Sequence, residues 1–428
     1  MAQLKRKVAF KTLGCRLNQF ETGSLATRFK SAGYELVHFN DNADVYIVNT
    51  CTVTNQSDHK SRNTINQALR NSKKPVVVVT GCMAENKSGF LEDDRITYVI
   101  GNNNKSDIFS VVEAHFNGEF YELNDQRHVF DFQNPEKIYK TRGTIKIQDG
   151  CDNFCTYCII PFVRGRAISR PMNDIIDNAH QLIQNGYHEI VITGVNIGRY
   201  KYEDYNFEDV IENILELPGD YRLRISSMEP EGIGQKFLSL MNHPKMCPHL
   251  HLCLQSGSDR ILIKMRRMYD MKQFMNTVHE IREVRPDFNF TTDVLVGFPD
   301  ESKEDFNETI KTIKLINFGH VHTFKYSLRD GTRAARMENQ VADKIKNSRS
   351  AEVRQLSEKL RGDLMNKMIG KEQTVLIERK NKKGLLSGYG EHYFPVCFQG
   401  ENTMVDTFQN VIISGIDHEN MYLKADLI

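Results

Sequence analysis

The chain has 428 residues, of which 40% are hydrophobic and 26% charged, with a net charge of +1. That length calls for two or three domains, and the apolar content excludes a disordered chain. The balanced charge leaves only local basic patches for binding nucleic acid. No apolar stretch of a signal peptide follows the basic start Lys5-Arg6-Lys7, and the longest apolar runs fall far short of the ~20 residues of a membrane helix. A cytoplasmic protein without membrane contact is expected, with nine cysteines kept reduced and available for metal or catalysis.

Residues 1–113 alternate strand-like and helix-like segments, with strands expected at 8–13, 44–48, 76–80 and 97–100. Asn18, with Glu21 three residues later, predicts a capping box at the start of the first helix, which carries Phe20, Leu25 and Phe29. Such alternation implies a parallel sheet with helices on its faces. Cys15, Cys51 and Cys82 each follow one of the first three strands. Ligands bind at the carboxyl ends of parallel strands, so the three thiols should meet at one edge despite their separation in sequence. Gly14 and Gly81 permit close approach there. Residues 114–136 read as a linker.

The segment Gly150-Cys151-Asp152-Asn153-Phe154-Cys155-Thr156-Tyr157-Cys158 sets three more cysteines at a C-x3-C-x2-C spacing. Iron–sulfur clusters normally take four thiolates, so three leave one iron open to an outside ligand. Six strand–helix repeats begin here, with strands at 144–147, 189–193, 222–226, 250–254, 290–296 and 322–326. Polar residues and glycines gather at the strand ends: Gly194 and Asn196, Ser226 and Glu229, Gln255, and Gly297. Asp293 should face the interior and pair with a basic residue. The run 264–269 offers cations and an aromatic on a helix, and a solvated face is favoured slightly over an RNA contact there. Cys247, Cys253 and Cys397 read as packing residues, and the His249/His251 pair shows no third ligand for a zinc site.

Val353, Leu356, Leu360 and Leu364 follow helical spacing. Beyond them, five short strands at 374–377, 385–387, 395–398, 411–414 and 422–425 imply a small closed barrel over 368–428.

The C-x3-C-x2-C run, with Tyr157 before its last cysteine, resembles the radical S-adenosylmethionine (SAM) superfamily. Two cysteine triplets in this order, with the continuation Ile159-Ile160-Pro161-Phe162-Val163-Arg164-Gly165-Arg166, resemble the methylthiotransferases over essentially the whole chain. The resemblance implies a flavodoxin-like α/β domain at residues 1–113 and an open (β/α)6 radical-SAM partial barrel with its linker helix at 137–367. It also implies a small antiparallel β-barrel (TRAM) that binds RNA. Cys15, Cys51 and Cys82 would hold an auxiliary 4Fe–4S cluster, and Cys151, Cys155 and Cys158 the SAM-cleaving one. Gly194, Asn196, Ser226, Glu229, Gln255 and Gly297 would contact SAM. Arg164, Arg166, Lys380, Lys382, Tyr389 and Tyr393 are the candidate RNA contacts.

The implied reaction consumes two SAM, one to methylate a sulfur on the auxiliary cluster and one to generate the 5′-deoxyadenosyl radical. Gly14-Cys15-Arg16-Leu17-Asn18-Gln19 and Asn49-Thr50-Cys51-Thr52-Val53-Thr54-Asn55 look like the branch acting on N6-threonylcarbamoyladenosine in the tRNA anticodon loop. Isopentenyladenosine tRNA and an aspartate of ribosomal protein S12 are the alternative substrates, and a non-catalytic iron–sulfur RNA-binding protein is the alternative class. An electron donor such as flavodoxin or ferredoxin, a sulfur donor and a monomeric state complete the expectation. Asp330 and Arg333 depart from the family's habit after the sixth strand.

Overall fold

Five parallel strands make the N-terminal sheet in the computed structural model: β1 Lys7–Thr12, β2 Glu35–Val37, β3 Val45–Thr50, β4 Val76–Gly81 and β5 Tyr98–Ile100. The structure describes residues 5–71, 74–85, 89–124, 126–133, 141–231 and 233–428. The strand order β2-β1-β3-β4-β5 is that of a flavodoxin-like fold. β3 and β4 are buried at every position, as central strands covered on both faces must be. The three-residue edge strand β2 is too short to register as a periodicity in sequence. Helix α1, Arg16–Ser31, starts directly at Cys15. The expected capping box does not form, because Asn18 and Glu21 are buried and held by other elements. The division expected at residue 113 falls within the helix Ile108–Asn117, and Val129 and Phe132 of the expected linker are buried.

Six further parallel strands form an open arc: β6 Gly143–Lys146, β7 Glu189–Thr193, β8 Arg222–Ile225, β9 His249–Leu252, β10 Asn289–Val296 and β11 His320–Lys325. Ser227 and Met228, just past β8, carry the pairing on to β9. Among the described strands β6 and β11 do not pair with each other, so the barrel stays open. Alternating strands and amphipathic helices bury one continuous core from Ile145 to Val353.

The last five strands are β12 Glu372–Lys380, β13 Leu386–Tyr389, β14 Pro395–Phe398, β15 Phe408–Asp417 and β16 Tyr422–Leu427. They close into a barrel in the order β12-β13-β14-β16-β15. Its β14–β16 pair is parallel, so the barrel is not wholly antiparallel. The helix Asp343–Asn366 joins the two barrels by sharing their cores. Val353 enters the first, with Leu356 and Leu360 against it, while Met365 and Leu364 belong to the second.

The small barrel caps the amino ends of the large barrel's strands. Arg222 donates to the carbonyls of Thr374 at 2.8 Å and Tyr389 at 3.0 Å, and Arg224 to that of Glu391 at 3.2 Å. Asn289 donates to the His392 carbonyl at 2.7 Å. Glu189 anchors the contact, with Arg142, Arg222 and Arg224 within 3.2 Å of its carboxylate. Burial alone would raise the Glu189 carboxyl, but the three guanidinium groups outweigh it and hold it well below the carboxylate range. A depressed folded pKa gives stability that is complete above the unfolded value and lost as pH falls through and below it. Thermal melts of wild type should therefore drop progressively below about pH 4.5, and Glu189→Gln should flatten that part of the profile.

Candidate cluster and substrate cavity

Both cysteine triplets come together in space. Cys15 lies at the start of α1, Cys51 follows β3, and Cys82 follows β4. Gly14, with φ at +91°, brings its backbone so close to Cys51 that a Cβ would sit 2.9 Å from Sγ. Gly150, before the second triplet, has φ at +72°, and a Cβ there would collide with the Arg166 carbonyl. All six cysteines are free thiols. Burial pushes Cys82 up to about 11, with Cys15 and Cys51 adding to the shift. Burial likewise pushes Cys158 up to about 12, with Cys155 and Cys151 adding to it. Crowded thiols that resist ionisation are what a bound cation relieves, so both triplets fit a thiolate-ligated metal cluster.

One cavity of about 850 Å³ is lined by Cys15 from the N-terminal domain and by Cys151, Cys155 and Cys158. Gly194, Asn196, Ser226, Glu229 and Gln255 line it as well. Ser226 Oγ is buried there without a hydrogen-bond partner in the protein, as a group awaiting a polar ligand such as SAM would be, and Asn196 lies against Cys151. Glu229 accepts from Asn153 at 2.7 Å. Gly297 does not line the cavity: its φ of +72° and the Lys346 side chain packed over it explain the glycine structurally.

Arg267, expected on a solvated face, is buried beside the second triplet. It donates to Cys155 Sγ at 3.3 Å and pairs with Glu229 at 2.7 Å. Tyr269 from the same run is buried too, bonding the Cys253 and Leu254 carbonyls. Arg266 and Met268 are exposed, and the half-buried Lys264 pairs with Asp300. A cation donating to a thiolate sulfur stabilises its charge, a role that sequence spacing does not reveal.

Arg164 is not available to RNA, because it is buried between the two domains. It pairs with Asp149 at 3.0 Å and Glu21 at 3.1 Å, and donates to Asn18 at 2.7 Å. Glu21 also holds Lys105 at 2.5 Å and Lys146 at 3.0 Å. Burial would raise the Glu21 carboxyl, but Arg164, Lys105 and Lys146 outweigh it and keep it well below its ordinary range. Asn18 in turn donates to the Leu13 and Thr50 carbonyls. One buried network thus touches the turns before Cys15, Cys51 and Cys151. A second tie comes from Arg329, which bonds the Thr52 carbonyl at 3.2 Å and Asp58 at 2.5 Å, fixing the Cys51 loop to the end of β11. Asp330 and Arg333 beside it are exposed.

Tyr389 and Tyr393 stack on each other with ring centroids 4.8 Å apart. They face inward and line the cavity, enclosed by Arg142, Arg224 and Arg16, so they form no platform on the outer face of the small barrel. Lys380, Lys382 and Arg166 are exposed, although Arg166 pairs with Asp152 at 2.7 Å. Cys247 and Cys397 are buried packing residues, whereas Cys253 lines the cavity. Asp293 faces the interior as expected, with His251 Nε2 at 3.3 Å. The ligand atoms of His251, Cys253 and Asp293 lie within 4.8 Å of one another, so the histidine pair does have neighbours of metal-ligand type. Cys253 continues the alternation of His249 and His251 just past β9, whereas Asp293 comes from β10 and is brought beside them by strand pairing.

An open six-stranded barrel with a C-x3-C-x2-C loop at its mouth, a thiol-bearing α/β domain over that mouth and a small β-barrel beneath defines a radical-SAM enzyme. Residues 7–101 match the uncharacterized protein family UPF0004, 145–313 the Radical SAM superfamily and 366–428 the TRAM domain. The chain is 36% identical to a threonylcarbamoyladenosine tRNA methylthiotransferase MtaB of Bacillus subtilis, over 95% of this chain and 93% of that one. It is 34% identical to the protein of the same name from Thermotoga maritima, over 99% and 98%. A tRNA-2-methylthio-N(6)-dimethylallyladenosine synthase of Protochlamydia amoebophila is 30% identical over 97% and 95%. The chain belongs to the tRNA methylthiotransferase family. Among solved structures, the radical SAM methyltransferase TsrM from Kitasatospora setae shares the fold at a TM-score of 0.59 and 14% identity, covering 78% of this chain and 77% of that one.

Proposed function

We propose that this protein inserts a methylthio group at C2 of N6-threonylcarbamoyladenosine, the base just 3′ of the tRNA anticodon. The observation that carries this reading is the single cavity lined by Cys15 and by all three cysteines of the second triplet. A target base inside it can meet both reacting centres without leaving. When bound, the SAM-cleaving cluster and SAM supply a radical that removes hydrogen, and the auxiliary cluster presents the sulfur.

The protein's own residues bind, orient and exclude water. Asn196, Ser226 and Gln255 offer polar groups to the ribose and adenine of SAM. Arg267 and Glu229 fix one wall of its site, and Arg329 with the Glu21 network holds the two cysteine-bearing domains in register. The target base lies in a loop, from which it is splayed out at less cost than from a duplex. Lys380, Lys382 and Arg166 are the exposed cations left for the RNA backbone. Function as a monomer with a flavodoxin- or ferredoxin-type electron donor and a separate sulfur donor belongs to the same reading. The greater likeness to the threonylcarbamoyladenosine enzymes favours that substrate over isopentenyladenosine.

The test is anaerobic reconstitution with iron, sulfide, SAM, a reductant and either threonylcarbamoylated or isopentenylated tRNA, followed by nucleoside mass spectrometry. The methylthio product should form on the first tRNA. Its formation only on the second would overturn the substrate, and its absence on both would overturn the activity.

A further inference from the structure

The lobe of the cavity at the amino ends of the barrel strands is lined by groups that the chemistry above does not use. Arg16 comes from α1 and Arg361 from the helix Asp343–Asn366, and both line the cavity. Neither is within ion-pair distance of a carboxylate among the described residues. Arg16 donates to the Tyr393 hydroxyl at 2.7 Å, and Arg361 to the Met421 carbonyl at 3.2 Å. A guanidinium group carries five N–H donors, so both keep donors to spare. His249 and His320 line the same lobe, and the Nδ1 atom of each is buried with no hydrogen-bond partner in the protein.

Two arginines without counter-ions and two unsatisfied imidazole nitrogens are costly in a partly enclosed space unless a ligand meets them. The planar fork of arginine matches a carboxylate. From His249 to Gln255 the chain advances roughly 20 Å at about 3.3 Å per residue, room for a purine and an extended substituent between lobe and cluster mouth.

We propose that this lobe is the subsite for the carboxylate of an amino-acid substituent on the target base, bound by Arg16 and Arg361, with His249 and His320 meeting its remaining polar atoms. The inference rests on the threonylcarbamoyladenosine reading. It supplies discrimination, because an apolar isopentenyl group would leave these polar residues unmet. Sites built to hydrogen-bond a substrate group reject analogues lacking it far more strongly than apolar pockets reject added bulk.

The same anionic chemistry could come from a tRNA backbone phosphate, and the experiment separates the two sources. Affinities of the reconstituted holoenzyme are measured for one tRNA with and without the threonylcarbamoyl group, for wild type, Arg16→Met and Arg361→Met. Iron content and circular dichroism establish that each variant is folded. Wild type should prefer the modified tRNA. Each variant should lose roughly 10–100-fold in affinity for it, the effect of a lost charge-assisted hydrogen bond, while its affinity for the unmodified tRNA stays the same. Equal losses on both tRNAs would assign the arginines to phosphates and overturn the subsite, as would unchanged affinities. Should Arg361→Met not accumulate, Arg16→Met on the other domain decides. Failure of the underlying substrate reading would show differently: wild type itself would neither prefer the modified tRNA nor modify it.

Discussion

Cys155→Ala is expected to reduce 5′-deoxyadenosine formation from SAM to background, whereas Cys51→Ala should keep it and lose the methylthio product. Cys155 is buried between Cys151 and Cys158 with the Arg267 guanidinium against its sulfur. Removing one of only three thiolates leaves a site that cannot retain a cluster. The loss should exceed the roughly 10–100-fold effects of replacing residues that only hydrogen-bond to metal ligands. Cys51 belongs to a different domain and a different triplet. Its loss leaves the SAM site intact and removes only the sulfur-presenting one. The two variants therefore dissect one reaction into its halves, read by chromatography of 5′-deoxyadenosine and by nucleoside mass spectrometry. Equal 5′-deoxyadenosine yields from the two variants, or methylthio product from either, would contradict the division of labour.

Glu21→Gln should destabilise the protein by about 3–5 kcal/mol, the cost of removing one partner from a buried ion network. Glu21 and Asp149 face Lys105, Lys146 and Arg164, so two carboxylates already balance three cations incompletely. The third positive charge is felt by Cys82 and Cys15, whose thiolates would offset it. Without Glu21 one carboxylate would remain against three cations in a space closed to water. The expected loss is read as a lower urea midpoint, together with a lower content of iron in the N-terminal triplet as the domains lose register. An unchanged midpoint would mean that the network contributes nothing to domain docking.

Much of this architecture can be read from the chain. Strand-sized apolar runs such as 76–80, and cysteines at their ends, give the parallel sheet and its convergent thiols because side-chain burial on both faces leaves an unbroken apolar signature. The C-x3-C-x2-C loop is equally visible, since a metal site within nine residues is local. What the sequence hides is the polar side-chain contacts whose partners lie far along the chain. Asn18 and Glu21 have the spacing of a capping box, yet they serve residues more than a hundred positions away. Arg164 and Arg267 look like surface cations but are buried by domain packing and by a partner carboxylate. Tyr389 and Tyr393 are aromatic residues near lysines, which suggests RNA stacking. The docking of the small barrel turns them inward instead. The lobe around Arg16 and Arg361 draws on α1 and on the joining helix, and no local motif marks it.

The most direct test of the central claim, that two independent thiolate triplets each hold a cluster, is iron quantification with Mössbauer spectroscopy on anaerobically reconstituted protein. The measurement would compare wild type with variants in which each triplet in turn is replaced by alanine. Two four-iron clusters predict about eight irons per chain in wild type and about four in each variant. About four in wild type, or loss of all iron on removing a single triplet, would contradict it.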